Sequence, residues 1–342
     1  MIDIDGSYLE GGGQILRTSV ALSCVTGKPV RVFSIRANRP QPGLKAQHLQ
    51  SIKAAAKLCN AKVSGLFLGS EKIEFVPGEI QGGSLSINVG TAGSIGLVLQ
   101  TLMIPAIHAK KPVELHITGG TDVSWSPSVG FIQHVKLPLL EKMGYSGRLA
   151  LEKRGYYPKG GGRIAMVIEP GRLREINLTE QGKPECVHGI SHASQNLKKA
   201  SVAERQAKAA RDIVFKRFEL SPDIEKQYCD TLCAGSGMDL WIKTSNTVMG
   251  STSLGKPGKR AELVGREAAE FLVKQFDSGA CVDEHIGDQI IPYMALAGKS
   301  CITVPEITGH IKTNIWVTER FLPVKFEIEK IRACYAIRCR SL

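Results

Sequence analysis

The chain of 342 residues contains one local pattern three times. Each copy consists of an apolar helix, a stop of small residues and lysine, an extended strand, and then polar residues. The three predicted strands are residues 30–35, 113–117 and 301–304. Internal repetition is typical of folds assembled from equivalent units. We therefore expect three helix-on-sheet units around a shared axis, with the polar ends of their strands converging on one site.

The predicted helices extend this pattern. The first helices of the units are expected at residues 14–26, 94–108 and 288–296, and second helices at residues 44–59 and 129–143. Glycine-rich hairpins are expected to pair strand 73–76 with strand 84–89, and strand 156–157 with strand 163–168. The second of these hairpins ends near Pro170 and is interpreted as the opening of the third unit.

The third unit is interrupted before its helix. The intervening stretch of roughly 100 residues is long enough to fold by itself. We therefore predict a large domain formed by residues 1–183 and 278–342, and a small inserted domain at residues 184–277. The insert should contain helices at 193–218 and 261–276 and a strand at 239–244. Residues 250–257 nearly fit a phosphate-binding Walker loop, but Pro257 lacks the required hydroxyl group, so a flexible loop is predicted.

Composition limits the classes of function. The formal net charge of +12 favours polyanionic partners such as RNA, DNA or nucleotides, although it also serves general solubility. The nine cysteines are an odd number and are scattered, which indicates reduced thiols. We find no apolar stretch of about 18 residues that would span a membrane. The N-terminus has no signal-like apolar segment, so a cytoplasmic location is expected.

His310 is the first candidate catalytic residue. It follows the third predicted strand and a short link, in the sequence Gly309-His310-Ile311-Lys312. Neutral imidazole is a good nucleophile near pH 7. A single histidine at a strand end is more often an ordinary hydrogen-bonded side chain. The polar residues at the corresponding strand ends of the other two units favour the functional interpretation.

A glycine-rich turn precedes the first helix. Glu10 is followed by three glycines, and Arg17 lies about one turn into the helix. Such a turn lets backbone N–H groups approach an anion at the helix N-terminus. Glu10 cannot bind phosphate directly, but it can hold a divalent cation that bridges phosphates. The alternative is a tight turn that carries a surface carboxylate.

Other polar residues suggest phosphate binding. Arg36 and Arg39 follow the first strand, and Gln47 lies in the first turn of the next helix. Guanidinium groups pair with phosphate through two hydrogen bonds, whereas the alternative is a basic loop in water. The turn at residues 90–96 either faces a nucleotide or permits close helix packing. Gln100 lies in an apolar helix and needs a polar partner.

Together these motifs, with the sequence Gly119-Gly120-Thr121-Asp122, resemble the RNA 3′-terminal phosphate cyclases over nearly the whole chain. The resemblance implies an α/β (α+β) fold. Its large domain has three βαβαββ-type repeats, as in the C-terminal domain of a bacterial translation initiation factor. A small inserted domain with a thioredoxin-like arrangement accompanies it.

The resemblance also implies a reaction. ATP adenylylates a histidine, AMP passes to the 3′-phosphate of RNA, and the 2′-hydroxyl displaces AMP to form a 2′,3′-cyclic phosphate. By motif match, the nucleophile is His310, and Glu10 binds the divalent metal (Mg²⁺ or Mn²⁺). The remaining matches are ATP-binding Gln100, Pro127, His285, Ile286, Gly287, Asp288 and Gln289, and phosphate- or RNA-binding Arg17, Arg36, Arg39 and Gln47.

Alternatives stay open at this point. Many family members have tyrosine where this chain has His285, and imidazole stacks on adenine more weakly. Asp288 is also well placed to cap the helix that follows it. The main functional rival is a non-catalytic, cyclase-like factor for RNA binding or ribosome assembly. That branch lacks the nucleophilic histidine, which is present here. An enolpyruvyl-type transferase is a more distant alternative.

Overall fold

The computed structural model describes all 342 residues, and it begins with a four-stranded sheet. In β2, Val30 and Val32 are buried while the alternate side chains point outward, as expected of a strand with one covered face. The elements of this first unit are β1 (Ile2–Asp5), α1 (Gly13–Thr26), β2 (Val30–Phe33), α2 (Ala46–Leu58), β3 (Lys62–Ser64) and β4 (Ile73–Val76).

A second sheet follows directly. Its first helix is apolar all round, as expected of a helix enclosed by other elements. The second helical segment contains a π-helical turn at Ile132–Lys136. The elements are β5 (Gly83–Asn88), α3 (Ile95–Ala106), β6 (Val113–Gly119), α4 (Val129–Phe131), α5 (Leu137–Lys142), β7 (Gly147–Lys153) and β8 (Gly162–Ile168).

After the short strand β9 (Asn177–Leu178), residues 184–277 of the predicted insert form a separate four-stranded sheet and two helices. Parallel pairing joins β10 to β11, and antiparallel pairing joins β10 to β12 and β12 to β13. A separate apolar cluster of 14 buried residues lies between this sheet and its helices. The elements are β10 (Pro184–Ser194), a 3₁₀ turn (Gln195–Ala200), α6 (Val202–Phe218), β11 (Asp223–Cys229), β12 (Ser236–Thr244), β13 (Val248–Leu254) and α7 (Ala261–Asp277).

The rest of the chain completes a third sheet with β9. Its elements are α8 (Glu284–Gln289), α9 (Ile291–Ala297), β14 (Ser300–Val304), α10 (Gly309–Phe321), β15 (Val324–Ile331) and β16 (Cys334–Ser341). The three sheets have equivalent strand orders, β1-β2-β4-β3, β5-β6-β8-β7 and β9-β14-β16-β15. In each sheet the first pair is parallel and the other two pairs are antiparallel.

The predicted mixed α/β fold is therefore confirmed, and one apolar cluster of 69 buried residues extends through all three units. Helix α1 packs against α3 and α10, so helices from different units meet in the interior. None of the helices has the length and apolar character needed to span a membrane. The division into a large domain at 1–183 and 278–342 and an inserted domain at 184–277 stays a prediction.

Several predicted elements were wrong in detail. Strands 73–76 and 84–89 do not form a hairpin, because β5 pairs with β6 in the second sheet. Strand β8 pairs with β7 and not with residues 156–157, and the third sheet is opened by β9. Both errors concern the boundaries between units, because the units divide between β4 and β5 and between β8 and β9.

Within the insert, residue 193 lies in β10, and the helix begins only at Val202. The polar, alanine-rich composition of this stretch resembles a helix throughout, but its first residues pair with β11 and β12. The predicted flexible loop at 250–257 is also wrong over its first half, which is part of β13. Small residues suit this strand because Gly250 packs against Val135 and Phe131.

A buried polar network joins the insert to the second unit. Arg154 donates from Nη1 to both carboxylate oxygens of Asp122, at 3.0 and 3.1 Å. His192 Nε2 lies 3.4 Å from Asp122 Oδ1 and 3.8 Å from Asp239 Oδ2. His192 Nδ1 is 2.7 Å from the hydroxyl group of Tyr156. All these groups are buried, so the ion pair between Arg154 and Asp122 lies away from water.

The charges of this network depend on one another. Burial lowers the pKa of His192 to about 3, so its imidazole is neutral. Burial and the neighbouring Asp122 raise the pKa of Asp239 to about 6. Burial alone would lower the pKa of Arg154, but Asp122 and Asp239 raise it above its usual range. The guanidinium group therefore remains charged and balances Asp122.

We expect Arg154→Met to lower the free energy of unfolding by about 3–5 kcal/mol, because Asp122 would lose its buried partner. Chemical denaturation followed by circular dichroism measures the change. Arg205→Met is the matched control, since it removes an exposed ion pair of 2.6 Å with Glu262 and should change stability far less. Equal effects of the two substitutions would contradict the assigned role of Arg154.

Candidate active site

The structure places His310 in the first turn of a helix and not at the end of a strand. Strand β14 ends at Val304, and α10 begins at Gly309. Thr308 caps this helix by accepting a hydrogen bond from the backbone N–H of Ile311 at 3.1 Å. The prediction that His310 lies at a strand end is therefore wrong, because the residue belongs to the first turn of α10. A helix N-terminus carries free N–H groups and favours anions, which suits a residue that meets a phosphate.

The imidazole of His310 is held in one orientation by Gln14. Gln14 donates from Nε2 to Asp288 Oδ2 at 2.6 Å and to the backbone carbonyl of His310 at 3.3 Å. These bonds leave Gln14 Oε1 as an acceptor, 2.7 Å from His310 Nδ1. Nδ1 must then carry the proton, since an amide oxygen cannot donate. The lone pair of the neutral ring is consequently on Nε2.

That second nitrogen faces a carboxylate. His310 Nε2 lies 3.2 Å from Glu10 Oε2, and Arg39 Nη2 lies 3.9 Å from the same oxygen. The side chains of His310 and Glu10 are 47% and 40% exposed, so a substrate can reach both. A Cβ atom on Gly309 would clash with the Glu10 carboxylate, which explains the glycine before His310. Glu10, Arg39 and His310 thus share one site.

Electrostatics keep His310 neutral near pH 7. Burial lowers the pKa of His310, Arg17 and Arg39 lower it further, and only Glu10 raises it. The net shift is downward from the ordinary value of 6.5. An imidazole with a depressed pKa has its lone pair available at neutral pH.

Polar groups also line a narrow cavity between α1, α3 and α8. Arg17 donates from Nε to Gln100 Oε1 at 3.1 Å, so Gln100 has the partner that its apolar helix required. Lys136 and Asp288 line the same cavity. Burial lowers the pKa of Arg17 to about 10 and that of Lys136 to about 8, and it raises the pKa of Asp288 to about 7.

The helix-capping alternative for Asp288 is wrong. Asp283 caps α8, accepting from the N–H groups of His285 and Ile286 at 3.0 and 2.9 Å. Asp288 lies near the end of that helix, and its carboxylate points towards Gln14. Its main role in the structure is therefore to orient the amide that holds His310.

Gln47 and Pro127 lie next to the start of α3. Gln47 Oε1 accepts from the backbone N–H of Ser94 at 3.0 Å. Pro127 packs against Gly96, where a Cβ atom would clash with the Pro127 carbonyl oxygen. The turn at residues 90–96 therefore packs closely against both predicted residues. Close packing therefore accounts for Gly93 and Gly96.

Other predicted residues have structural contacts. Arg36 donates from Nη1 to the carbonyls of Gln41 and Gly43, at 2.7 and 2.8 Å, and so shapes its own loop. The ring of His285 stacks on Phe271 of the insert, with centroids 5.3 Å apart. Ile286 and Gly287 are buried, and Gln289 donates to the His285 carbonyl at 2.9 Å. None of these contacts reaches His310 directly.

Sequence reasoning missed two residues of the site. Gln14 directly follows the three glycines after Glu10, and the fact that it is a polar residue in the first turn of an apolar helix could have revealed it. Lys136 is buried within the largely apolar helical stretch 129–142, which is a similar signal. Their partners are far away in sequence, so the roles depend on tertiary contacts.

A divalent cation fits Glu10 only with help from a substrate. Mg²⁺ is often held by one or two carboxylates together with substrate phosphates. Glu10 provides a single exposed carboxylate beside the Nε2 lone pair of His310. The three-residue group that could hold a metal by itself is Asp122, His192 and Asp239, but Arg154 already provides positive charge there.

The fold and the site geometry together indicate a class of protein. An imidazole beside a carboxylate and a guanidinium group is the type of arrangement that enzymes use to transfer groups between anionic substrates. A family model described as RNA 3′-terminal phosphate cyclase matches residues 8–328. The chain belongs to this family.

Three relatives carry the same description. The RNA 3′-terminal phosphate cyclase of Methanosarcina barkeri is 50% identical, over 98% of this chain and 99% of its own length. That of Pyrococcus furiosus is 51% identical, over 96% of this chain and 95% of its own length. That of Methanopyrus kandleri is 47% identical, over 96% of this chain and 95% of its own length.

We expect Asp288→Asn to alter how stability depends on pH. The carboxyl pKa is about 7 in the folded protein and about 3.9 in an unfolded chain. The folded state therefore binds the proton more tightly than the unfolded chain does. The stability that the native protein gains from this proton is lost as pH rises through about 7. As pH rises from 4 to 7, the free energy of unfolding of Asp288→Asn should therefore increase by about 1 kcal/mol or more relative to that of the native protein.

Denaturation at a series of pH values measures this difference. Asp212→Asn, an exposed position in α6, is the control and should show no such trend. A difference between Asp288→Asn and the native protein that is independent of pH would contradict the raised pKa.

Proposed function

We propose that the protein uses ATP to convert the 3′-terminal phosphate of RNA into a 2′,3′-cyclic phosphodiester. Membership of the cyclase family supports this reaction. The observation that carries the proposal is the convergence of His310, Glu10 and Arg39, which come from three separate stretches of the chain. A protein that only bound RNA would not need an imidazole held in a single tautomer.

In the first proposed step, His310 Nε2 attacks the α-phosphorus of ATP. A P–N bond forms, the P–O bond to pyrophosphate breaks, and His310 carries AMP. Gln14 keeps the proton on Nδ1, so the lone pair stays on the attacking nitrogen. As the bond forms, positive charge develops on the ring, and the Gln14 oxygen stabilises the Nδ1–H group.

Positive groups around His310 suit the charge of the reacting phosphates. Arg39 lies beside Glu10, and Arg17 lies in the adjoining cavity. A divalent cation, Mg²⁺ or Mn²⁺, held by Glu10 and the phosphates would neutralise charge on the leaving pyrophosphate. Gln100 and Asp288 orient Arg17 and Gln14, and they are proposed to act through these residues.

Two further transfers complete the proposed reaction. An oxygen of the RNA 3′-phosphate attacks the phosphorus of His310-bound AMP, which frees the imidazole. The neighbouring 2′-hydroxyl then attacks the 3′-phosphate, loses its proton, and expels AMP. Arg36, Arg39 and Gln47 are proposed to contact the RNA phosphates, because guanidinium and amide groups donate to phosphate oxygens.

Incubation with ATP labelled at the α-phosphate should give a labelled protein band that is absent in His310→Ala, because that variant has no Nε2. His116→Ala is the control, since His116 is an exposed histidine on β6 and should not affect labelling. His310→Ala should also lose the conversion of 3′-phosphate RNA to a cyclic end. Labelling of both variants would contradict His310 as the nucleophile. No labelling even of the native protein would favour the non-catalytic, RNA-binding alternative.

The labelling rate should depend on pH in a defined direction. Because the pKa of His310 lies below 6.5, the rate at pH 6.5 should still exceed half of its maximum. It should fall at lower pH, as protonation removes the Nε2 lone pair. Single-turnover labelling between about pH 5 and 8 measures this profile. A rate already halved at pH 7 would contradict the lowered pKa.

A further inference from the structure

Trp125 has an unusual position. Its side chain is 99% exposed, the highest value among the large hydrophobic residues exposed in this protein. Its backbone φ of 65° lies in the left-handed region, which is unfavourable for a bulky residue. Neither feature contributes to packing. Local strain of this kind persists only where the surrounding structure imposes it, and it is often found at binding sites.

The loop that carries Trp125 is anchored on both sides. Asp122 is buried and bonded to Arg154, as described above. Ser126 donates to the carbonyl of Val123 at 2.9 Å. Ser128 donates from Oγ to Asp239 Oδ1 of the insert at 2.6 Å. The exposed indole therefore projects from a fixed backbone and would lose little freedom on binding a partner.

A second exposed aromatic ring emerges from the adjacent loop. Tyr157 is 75% exposed, and its neighbour Tyr156 forms a β-bridge with Asp122 of the Trp125 loop. This loop is anchored by the insert as well, since the backbone N–H of Lys159 donates to Cys233 Sγ at 3.3 Å. The bridge brings the bases of the two loops together at the end of β6.

Both loops border the residues predicted to bind RNA phosphates. Gly160 packs against Thr91 and Ala92, in the turn whose Ser94 N–H is bound by Gln47. His48, next to Gln47, packs against Gly13 at the start of α1, close to Glu10 and His310. A continuous series of contacts therefore leads from His310 through Gln47 to the two aromatic loops.

We propose that Trp125 and Tyr157 form a stacking platform for the bases of single-stranded RNA next to its 3′-phosphate. This inference rests on the proposed function. Aromatic rings stack on any base, so the platform would hold an RNA end without selecting its sequence. The net charge of +12 and the exposed Lys159 suit the accompanying phosphates. Since the insert anchors both loops, it would position the platform.

The test measures binding of a fluorescently labelled single-stranded RNA with a 3′-phosphate, without ATP, by fluorescence anisotropy. Trp125→Ala should weaken binding about 5- to 150-fold, the equivalent of about 1–3 kcal/mol for one stacked base. Tyr157→Ala should act in the same direction, and Trp125→Phe should restore most of the affinity. Phe67→Ala is the matched control, because Phe67 is 63% exposed outside these loops and should have no effect.

A second RNA lacks the bases of its last nucleotides but keeps the backbone and the 3′-phosphate. The effect of Trp125→Ala should largely disappear with this RNA, because no base remains to stack. Equal affinity of Trp125→Ala and the native protein for the complete RNA would overturn the inference. The inference would also be overturned if Trp125→Ala kept its RNA affinity but bound ATP more weakly, since the indole would then stack on adenine. A native protein that binds no RNA would instead contradict the proposed function itself, and the platform with it.

Discussion

The hydrogen-bonded chain from Asp288 through Gln14 to His310 is the interaction on which the site depends. It joins the first helix of the first unit to two helices of the third. Without Gln14, either ring nitrogen of His310 could carry the proton. With it, Nε2 holds the lone pair beside Glu10. The tautomer of the candidate nucleophile is thus a consequence of packing α1 against α10.

The three similar sheets explain how such distant residues meet. Each unit buries its helices against its own sheet, and the helices of different units then share one core. Packing of α1 between α3 and α10 brings together the starts of helices that are about 300 residues apart in the sequence. The free N–H groups of helix starts favour anions, which suits the proposed reaction between ATP and an RNA phosphate.

The insert has a separate core, yet it is not an independent appendage in this structure. It contributes His192 and Asp239 to the buried network that also contains Asp122 and Arg154 of the second unit. Buried charges of this kind require accurate mutual placement, because an unpaired partner is costly. The insert therefore constrains the loop of residues 120–128.

The sequence alone was enough to predict a mixed α/β fold and to single out His310, Glu10 and Arg39, which the structure brings together, because apolar periodicity and glycine-rich turns are local properties of the chain. The catalytic roles of these residues and the domain division stay predictions. The sequence did not determine that β4 and β5 belong to different sheets, that His310 lies on a helix, or that Gln14 and Lys136 contact the site. Those depend on which distant groups meet after folding. A hydrogen bond such as that between Gln14 and His310 spans 296 positions, and only the tertiary structure decides such contacts.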